Sequence, residues 1–494
     1  MHEIITIQLG HQANYVGTHF WNAQEAYFTY DEETRSPVDH NVNFRPGVGA
    51  DGVDTFTPRA LIYDLKGGFG AMRKVNSLYE ELDPDGPSEK VLWDFSTATQ
   101  MEPRLEMIQY QKDLEAGLSP SPLKTSDIRY WSDYNRVYFH PRSSIQLTEY
   151  ELDSKLQPFE RFDLGTDLFH HLNHEHDLLD RDFRLFVEEC DQLQGVQLIT
   201  SADNGWAGFT AEYVEELRDE YGKTALFTWG IENTKQVSRE AQLTRQVSLA
   251  KTLSRVVASS SVYVPLAYPP VKVPQSILLD RTSQWHTSSL LAAAFETATL
   301  QARFRPDAGG YTMNDVVSLM TAGTGRNLAL LSLGIRAPGD GDPTQVNPVQ
   351  AMEMFECSWN GASRPGKKPH TFSEIDVVRS RTPGLDSPDA TGSVKRGDPI
   401  INRFHTSLEF PIVDSFPGIF PTHNPTDPLN ETTCGMDTAL MTTTSVISHI
   451  TELKKSVGRA VKVQEREVLL NGLDEIVDIF QDGWNSDSDW DDDL

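Results

Sequence analysis

The sequence predicts an α/β fold built on a parallel sheet, and two patterns in its first half support this class. The first is the apolar run Glu3–Leu9, typical of a buried strand, which turns at Gly10 into a helix with apolar positions three or four residues apart. The second is a crossover unit with a strand at Val196–Thr200, a loop, a helical stripe from Phe209 and a strand at Thr224–Ile231. Ligands of such sheets bind outside the carboxyl ends of the strands, so the loops after these strands are the first candidate sites.

Further elements follow from the same periodicities. A second strand is expected at Ala60–Leu65, between Pro58-Arg59 and a turn at Gly67-Gly68. A long helix is predicted over about Val237–Ala258 and a strand over Phe404–Val413. Two amphipathic helices, at about Thr438–Val457 and Gln464–Phe480, are predicted to close the fold.

The charge balance restricts the classes of partner. The 494 residues include 43 Lys and Arg against 72 Asp and Glu, a formal net charge of −29. Binding to nucleic acid and docking on anionic membranes both depend on basic surfaces, so neither is expected as the main activity. Three scattered cysteines favour a reducing compartment over a disulfide framework. No stretch approaches the roughly 18–20 apolar residues of a membrane span, and no Arg-rich presequence is evident, so we expect any organelle association to be peripheral.

Three segments resemble tubulin, in the same order along the chain. Ile7–Gly17, followed by Phe20-Trp21, is similar to tubulin's first strand and nucleotide loop, and Pro58–Leu65 is similar to its second loop segment. Glu189–Leu198 resembles the helix and strand that lead into its glycine-rich phosphate loop. The resemblance implies a tubulin-like fold, with a parallel, Rossmann-like nucleotide-type domain followed by a second mixed α/β domain and C-terminal helices.

A closer resemblance, to fungal members of the Misato family of tubulin-related proteins, spans nearly the whole chain. The segments that carry it are Ile5–His11 with Asn14, Val16–Asn22, Trp131–Tyr134, His140–Arg142 and Phe404–Thr406. This resemblance implies a role in distributing mitochondria and inheriting mitochondrial DNA in fungi. In animals the family is also linked to mitochondrial shape and to tubulin and chaperonin complexes.

The predicted domain organisation follows this resemblance. Residues 1–235 are expected to form the tubulin-like nucleotide-type domain, 236–260 a connecting central helix and 261–425 the second mixed α/β domain. Residues 426–481 are expected to form the C-terminal helices, and 482–494 an acidic, disordered tail. Within the second domain, residues 361–399 are rich in Pro, Gly, Ser and charge, which predicts an irregular, mobile insertion.

The resemblance to tubulin implies a nucleotide site of which the chain keeps only part. In such a site, backbone N–H groups of a glycine-rich loop at a helix N-terminus hold the phosphates, because glycine allows close approach. The residues of this degenerate candidate site are Gly10, His11, Gln12, Asn14, Asp64, Lys66, Asp203, Asn204, Gly205 and Gly208.

Several departures from tubulin weaken the candidate site. Residues 202–208 keep two glycines, with the bulky Trp206 between them, where tubulin has a nearly all-glycine run. Asp203 would place a negative charge beside the phosphates. The repulsion within one such pair of like charges costs about 4 kcal/mol at a separation of 4 Å and an effective dielectric near 20. Lys66 stands where tubulins carry an acidic residue near magnesium, and His11 replaces an amide side chain. The sequence has no match to the acidic loop that hydrolysis in tubulins requires.

We therefore expect a protein that is not an enzyme and acts by binding other proteins, with no catalytic residue and no metal site. GTP is the one cofactor that the resemblance leaves open. The expected location is peripheral on mitochondria with a cytoplasmic pool, and the expected partners are mitochondrial outer-surface proteins, tubulin or the cytosolic chaperonin. Two alternatives stay open, a GTP-binding filament-forming protein and an adaptor for tubulin and the chaperonin. The missing catalytic loop and the insertion at 361–399 count against a filament, since filament faces are repetitive.

Overall fold

The first sheet is parallel throughout and contains six strands in the order β5-β4-β1-β6-β7-β8. The computed structural model describes residues 2–29, 35–49, 52–73, 105–336, 354–359, 369–380, 399–420, 433–458 and 463–481. The strands of this sheet are β1 (Glu3–Leu9), β4 (Ala60–Lys66), β5 (Ser144–Glu151), β6 (Leu193–Ser201), β7 (Ala225–Asn233) and β8 (Val262–Tyr268). Between β1 and β4 the chain forms an antiparallel ribbon of β2 (Phe44–Val48) and β3 (Asp54–Pro58). The predicted α/β class with a parallel sheet is confirmed.

Helices cover both faces of this sheet, which explains why β1 is buried along its whole length. Ile4 shares a core with the helices α1 and α8, whereas Ile5 and Ile7 share a second core with α4 and α6. A third core joins α7 to α10 and α11. The helices are α1 (His11–Glu25), α2 (His40–Asn43), α3 (Gln109–Glu115), α4 (Phe162–His176), α5 (Arg184–Val187), α6 (Gly205–Glu220), α7 (Arg239–Ser259), α8 (Gln284–Ala298), α9 (Met313–Thr321), α10 (Ser445–Val457) and α11 (Val463–Gln481).

The second sheet is mixed and has the strand order β10-β9-β15-β11-β12. Its strands are β9 (Leu330–Ile335), β10 (Phe355–Glu356), β11 (Thr371–Arg379), β12 (Ile400–Thr406) and β15 (Met436–Thr443), and a separate pair is formed by β13 (Phe410–Pro411) and β14 (Thr433–Cys434). β15 is antiparallel to both of its neighbours, and β12 is parallel to β11. Helix α8 packs against strands of both sheets, so it is the central helix of the fold.

A buried charge cluster ties α8 to the second sheet. Glu296 of α8 is fully buried and accepts hydrogen bonds from Arg303 Nη2 at 2.7 Å and from the Tyr27 hydroxyl at 2.9 Å. Arg379, in β11 of the second sheet, donates Nη1 to the other carboxylate oxygen of Glu296. The same guanidinium donates to two backbone carbonyls at 2.8 Å, those of Leu408 and Glu409.

The structure differs from three predicted boundaries. β8 lies beyond residue 261, where the second domain was expected to begin, and yet it is the edge strand of the first sheet. The predicted insertion at 361–399 contains β11, in which Ser373, Ile375, Val377 and Arg379 are buried and the residues between them are half-buried, a strand pattern. The rest of that region, apart from residues 369, 370, 380 and 399, lies outside the described residues, as does the tail at 482–494.

The third difference concerns the first closing helix, which begins at Ser445 and not near Thr438. Residues up to Thr443 form β15, and their β-branched threonines favour a strand. The expected strand at Phe404–Val413 is divided between β12 and β13. None of the helices in the described part of the chain combines the length and the apolar character that a membrane span requires.

Candidate functional site

The predicted site residues lie at the carboxyl ends of β1, β4 and β6. Gly10 to Asn14 form the turn and first residues of α1, Asp64 lies within β4, and residues 203–208 lead from β6 into α6. Gln12 accepts a hydrogen bond from the Ser201 hydroxyl at 3.3 Å, which ties the first of these loops to the third. Lys66 ends β4 with an exposed side chain.

Asp64 is the centre of a buried polar cluster. Its Oδ2 accepts hydrogen bonds from Asn14 Nδ2 at 3.0 Å and Trp131 Nε1 at 3.1 Å, and it lies 3.1 Å from His11 Nδ1. Its Oδ1 accepts the backbone N–H of Leu65 at 2.9 Å. Three of these groups share Oδ2 and one uses Oδ1, so a magnesium ion or its water would have to compete with protein groups for this carboxylate.

Trp131, which the sequence analysis did not place in the site, closes this cluster. It begins the 3-10 turn Trp131–Tyr134, in which the Asp133 carboxylate accepts the backbone N–H of Arg129 at 2.8 Å. The Tyr134 hydroxyl donates to the Tyr15 carbonyl of α1 at 2.8 Å, which fixes the turn on the helix. The resemblance of this segment to the Misato family was the one sequence signal that could have placed Trp131 in the site.

Trp206 fills the space beside Gly10. Gly10 has a φ of +96°, and a Cβ atom there would lie 2.5 Å from the Trp206 indole, so only glycine fits. The indole is 4 % exposed and packs edge-on against Phe159 and Phe209, with ring centroids 5.5 and 5.7 Å away. It therefore occupies the space between the two loops that hold phosphate in a tubulin-type site.

The backbone donors of the phosphate-type loop are used within the chain. The N–H of Gly205 donates to the Phe159 carbonyl at 3.1 Å, and the N–H of Trp206 donates to Asn204 Oδ1 at 2.9 Å. Asn204 is thus the N-cap of α6, and a phosphate would have to replace its side chain. Gly208 serves helix packing, because a Cβ atom there would lie 1.9 Å from the Phe162 carbonyl oxygen of α4.

Asp203 is turned toward β7. Its carboxyl group is buried, and Oδ2 accepts the backbone N–H of Asn233, at the end of β7, at 2.9 Å. Burial raises the pKa of Asp203 to about 6. The packing of Trp206, and not the charge expected from the sequence, is therefore the main obstacle to a phosphate in this loop.

No group of three or more His, Cys, Asp and Glu side chains in the described ranges is arranged to hold a metal ion. Among the histidines of α4, His170 lies 3.5 Å from Glu212 of α6 and His171 lies 3.7 Å from Glu175 of its own helix. These contacts are those of a helix surface.

Comparison with known proteins identifies the family. Residues 2–116 match the Misato Segment II tubulin-like domain, and residues 120–304 match a tubulin domain. "Protein dml1" of Aspergillus niger is 43 % identical over 501 residues, with 100 % of both chains covered. The chain belongs to the Misato/DML1 family. "Protein dml-1" of Neurospora crassa is 41 % identical over 545 residues and "Protein DML1" of Yarrowia lipolytica 29 % over 510, again with 100 % of each chain covered.

These matches confirm the resemblance to the Misato family and the tubulin-like fold. The first domain match ends at residue 116 and the second begins at residue 120, so the two together cover nearly all of residues 2–304. Both family matches contribute to the closed site, since Asp64 lies in the first and Trp131 and Trp206 lie in the second.

Proposed function

We propose that this protein is a non-catalytic binding factor in the partitioning of mitochondria and the inheritance of mitochondrial DNA. The mitochondrial role rests on the family resemblance. The non-catalytic role rests on one observation, the Trp206 indole packed against Gly10 in a loop whose backbone donors are already used. A tubulin fold closed in this way offers its surface to partners without a nucleotide cycle.

The nucleotide part of this proposal is tested by calorimetry with GTP and magnesium. We expect no saturable heat, and GTP hydrolysis no faster than a blank, because the Asp64 carboxylate is occupied by four protein groups. A micromolar Kd, or a turnover that Asp64→Asn abolishes in a variant of unchanged circular dichroism, would instead support the GTP-binding alternative.

The location is tested with isolated mitochondria. We propose that the protein sits on the outer surface, with a cytoplasmic pool, so protease added to intact mitochondria should digest it while a matrix marker survives. Survival of the protein together with the matrix marker, until the outer membrane is opened, would show that this location is wrong.

The partner class is tested by affinity purification and mass spectrometry of the full chain. Recovery of mitochondrial outer-surface proteins supports the proposal. Recovery of chaperonin and tubulin subunits in their place would favour the adaptor role.

A further inference from the structure

A cluster of basic side chains lies at the amino edge of the first sheet, at the opposite ends of the strands from the closed site. Arg59 directly precedes β4, Arg45 lies on β2, and His140 and Arg142 lie just before β5. Arg59, His140 and Arg142 all belong to segments that carried a family resemblance, and the closed site uses none of them.

Arg59 is buried with too few acceptors. Its side chain is 4 % exposed, and Nη1 makes two long contacts, at 3.5 Å to the Glu189 carbonyl and 3.8 Å to Cys190 Sγ. Its Nε has no hydrogen-bond partner within the described residues. A guanidinium has five N–H donors, and burying them without acceptors costs free energy. An anion at this position would supply the missing acceptors.

Glu189 is the anion that the chain itself provides. Its Oε1 lies 2.8 Å from Arg45 Nη1, and its side chain is 25 % exposed. Burial raises the pKa of this carboxyl group even though Arg45, Arg59 and Arg142 all favour its ionised form. Glu189 therefore bonds directly to Arg45, and Arg59 and Arg142 lie close enough to favour its charge, in a protein whose net charge is −29.

Three other titratable groups surround the cluster. Burial lowers the pKa of His140, and Arg45 and Arg142 lower it further, so the imidazole adds no charge at neutral pH. Two further carboxylates lie near Cys190, Glu3, which accepts the backbone N–H of Gln192 at 3.0 Å, and Asp191, which is exposed. The Arg142 side chain is exposed, so the cluster is open to a ligand from solvent.

We propose that Arg45, Arg59 and Arg142 form a binding site for an oxyanion of the phosphate class at the amino edge of the first sheet. Arginine suits this ligand because its planar guanidinium presents paired N–H donors to phosphate oxygens. Free phosphate and a phosphomonoester on a partner protein present the same chemistry. Glu189 competes with either ligand for Arg45.

Calorimetry of the full chain with inorganic phosphate, at constant ionic strength and with chloride as reference, tests the site. We expect saturable binding that Arg142→Gln weakens about tenfold or more, the loss of a charge-assisted hydrogen bond. Arg142 is exposed, so this replacement leaves the fold intact, whereas Arg59→Gln requires a check of folding by circular dichroism. Glu189→Gln should tighten binding severalfold because it removes the competing anion, a gain that a purely structural cluster would not show.

Lys155→Gln is the matched control, since it removes an exposed positive charge beyond the carboxyl end of β5, opposite to Arg142, and should leave phosphate binding unchanged. An equal loss of binding in Lys155→Gln and Arg142→Gln would show a general charge effect and overturn the proposal. Absence of saturable phosphate binding in the parent chain would overturn it as well. If phosphate binds as expected, O-phospho-L-serine is titrated next, with L-serine as the reference. Tighter binding than that of inorganic phosphate indicates a phosphomonoester on a partner protein. Equal or weaker binding indicates free phosphate.

Discussion

At the scale of single residues, the loop after β6 shows how a ligand site becomes part of the core. Asp203 and Asn204 both bond to backbone N–H groups of the chain, and Trp206 packs between aromatic rings. The Asn204 side chain uses a backbone N–H that a phosphate would otherwise receive from the loop, and the Trp206 indole fills the space beside it. The loop therefore keeps its tubulin-like path while its polar groups are satisfied internally.

Asp203→Asn should stabilise the protein at neutral pH. Burial raises the pKa of Asp203 from 3.8 to about 6, so the stability of the parent falls as the pH rises from about 4 through 6. The amide still accepts the N–H of Asn233 and cannot ionise, so we expect a gain of about 1–3 kcal/mol at pH 7.5 and little at pH 4. Urea unfolding at both pH values measures it. Asp219→Asn, on the exposed end of α6, is the control and should change little; an equal gain for Asp203→Asn at the two pH values would contradict this explanation.

The sequence identified the residues of the site more readily than their partners. Asp64, Asn14 and Gly10 matched a motif, and they lie together in the structure. The bond from Trp131 to Asp64 spans 67 residues, and such a contact depends on how elements pack and not on local pattern. For the same reason the sequence showed that Asp203 carries a charge but not that the charge turns toward β7.

At the scale of elements, α4 and α6 cross so closely that side chains are excluded from the contact. A Cβ atom at Gly165 would lie 1.7 Å from the Gly205 carbonyl oxygen, in addition to the contact at Gly208 described above. Gly208→Ala should therefore force the helices apart and lower the free energy of unfolding by about 1–3 kcal/mol or more, the usual cost of overpacking. Urea unfolding of the variant measures this loss.

The control for this prediction lies just beyond the end of the same helix. Gly222 is exposed, and a Cβ atom there would lie 3.4 Å from the Arg218 carbonyl oxygen, an ordinary contact. Gly222→Ala should change the unfolding free energy by less than about 0.5 kcal/mol. If both variants lose the same stability, the crossing of α4 and α6 is not what requires glycine at Gly208.

Elements were predictable where one pattern filled a whole segment. β1 and α11 are long, regular and close to their expected bounds. β11 was missed because its alternating residues lie between two stretches rich in Gly, Pro and Ser, and the average composition of 361–399 concealed the strand period. β15 was missed because its apolar residues also fit a helical stripe that continues into α10.

At the scale of the whole molecule, two buried glutamates link distant parts of the fold, one bonded to arginines and the other to a tryptophan. Glu296 joins α8 to β11 of the second sheet through Arg379 and to the 3-10 turn after α8 through Arg303. Glu232, at the end of β7, accepts a hydrogen bond from Trp359 Nε1, and the Trp359 ring stacks on His449 of α10 at 4.0 Å. No cation bonds to Glu232 among the described residues. Neutralising the two carboxyl groups should therefore change the stability of the protein in opposite directions.

Glu296→Gln should destabilise the protein by about 3–5 kcal/mol at pH 7, because it leaves Arg303 and Arg379 buried without a carboxylate. Burial opposes the ionisation of Glu296, but the two arginines outweigh it and hold the pKa below its usual value. The contribution of this carboxylate is therefore present above about pH 4.5 and is lost as the pH falls further. Urea unfolding between pH 4 and 7 tests both the size and the direction.

Glu232→Gln should stabilise the protein at alkaline pH. Burial raises the pKa of Glu232 from 4.5 to about 8, so the stability of the parent decreases as the pH rises through this range. The amide keeps the acceptor for Trp359 and removes the ionisation, for a gain of about 2–4 kcal/mol at pH 8.5 and almost none near pH 4.5. A loss of stability at pH 8.5 would show that the carboxylate is compensated by groups other than Trp359.

The position of β15 between β9 and β11 sets the order in which the chain can fold during its synthesis. The first sheet has all six strands once Tyr268 has left the ribosome, whereas the second waits for Thr443. At about 5–20 residues per second, that interval lasts roughly 9–35 s. In the later part of this interval, from the emergence of Arg379 to that of Thr443, β9 and β11 lack the strand that pairs with both, and the side of α8 that faces β15 has no cover. Nascent chains stalled before Met436 should therefore resist protease through Tyr268 and be cut beyond it, and the newborn protein exposes apolar surface to its surroundings until β15 has emerged.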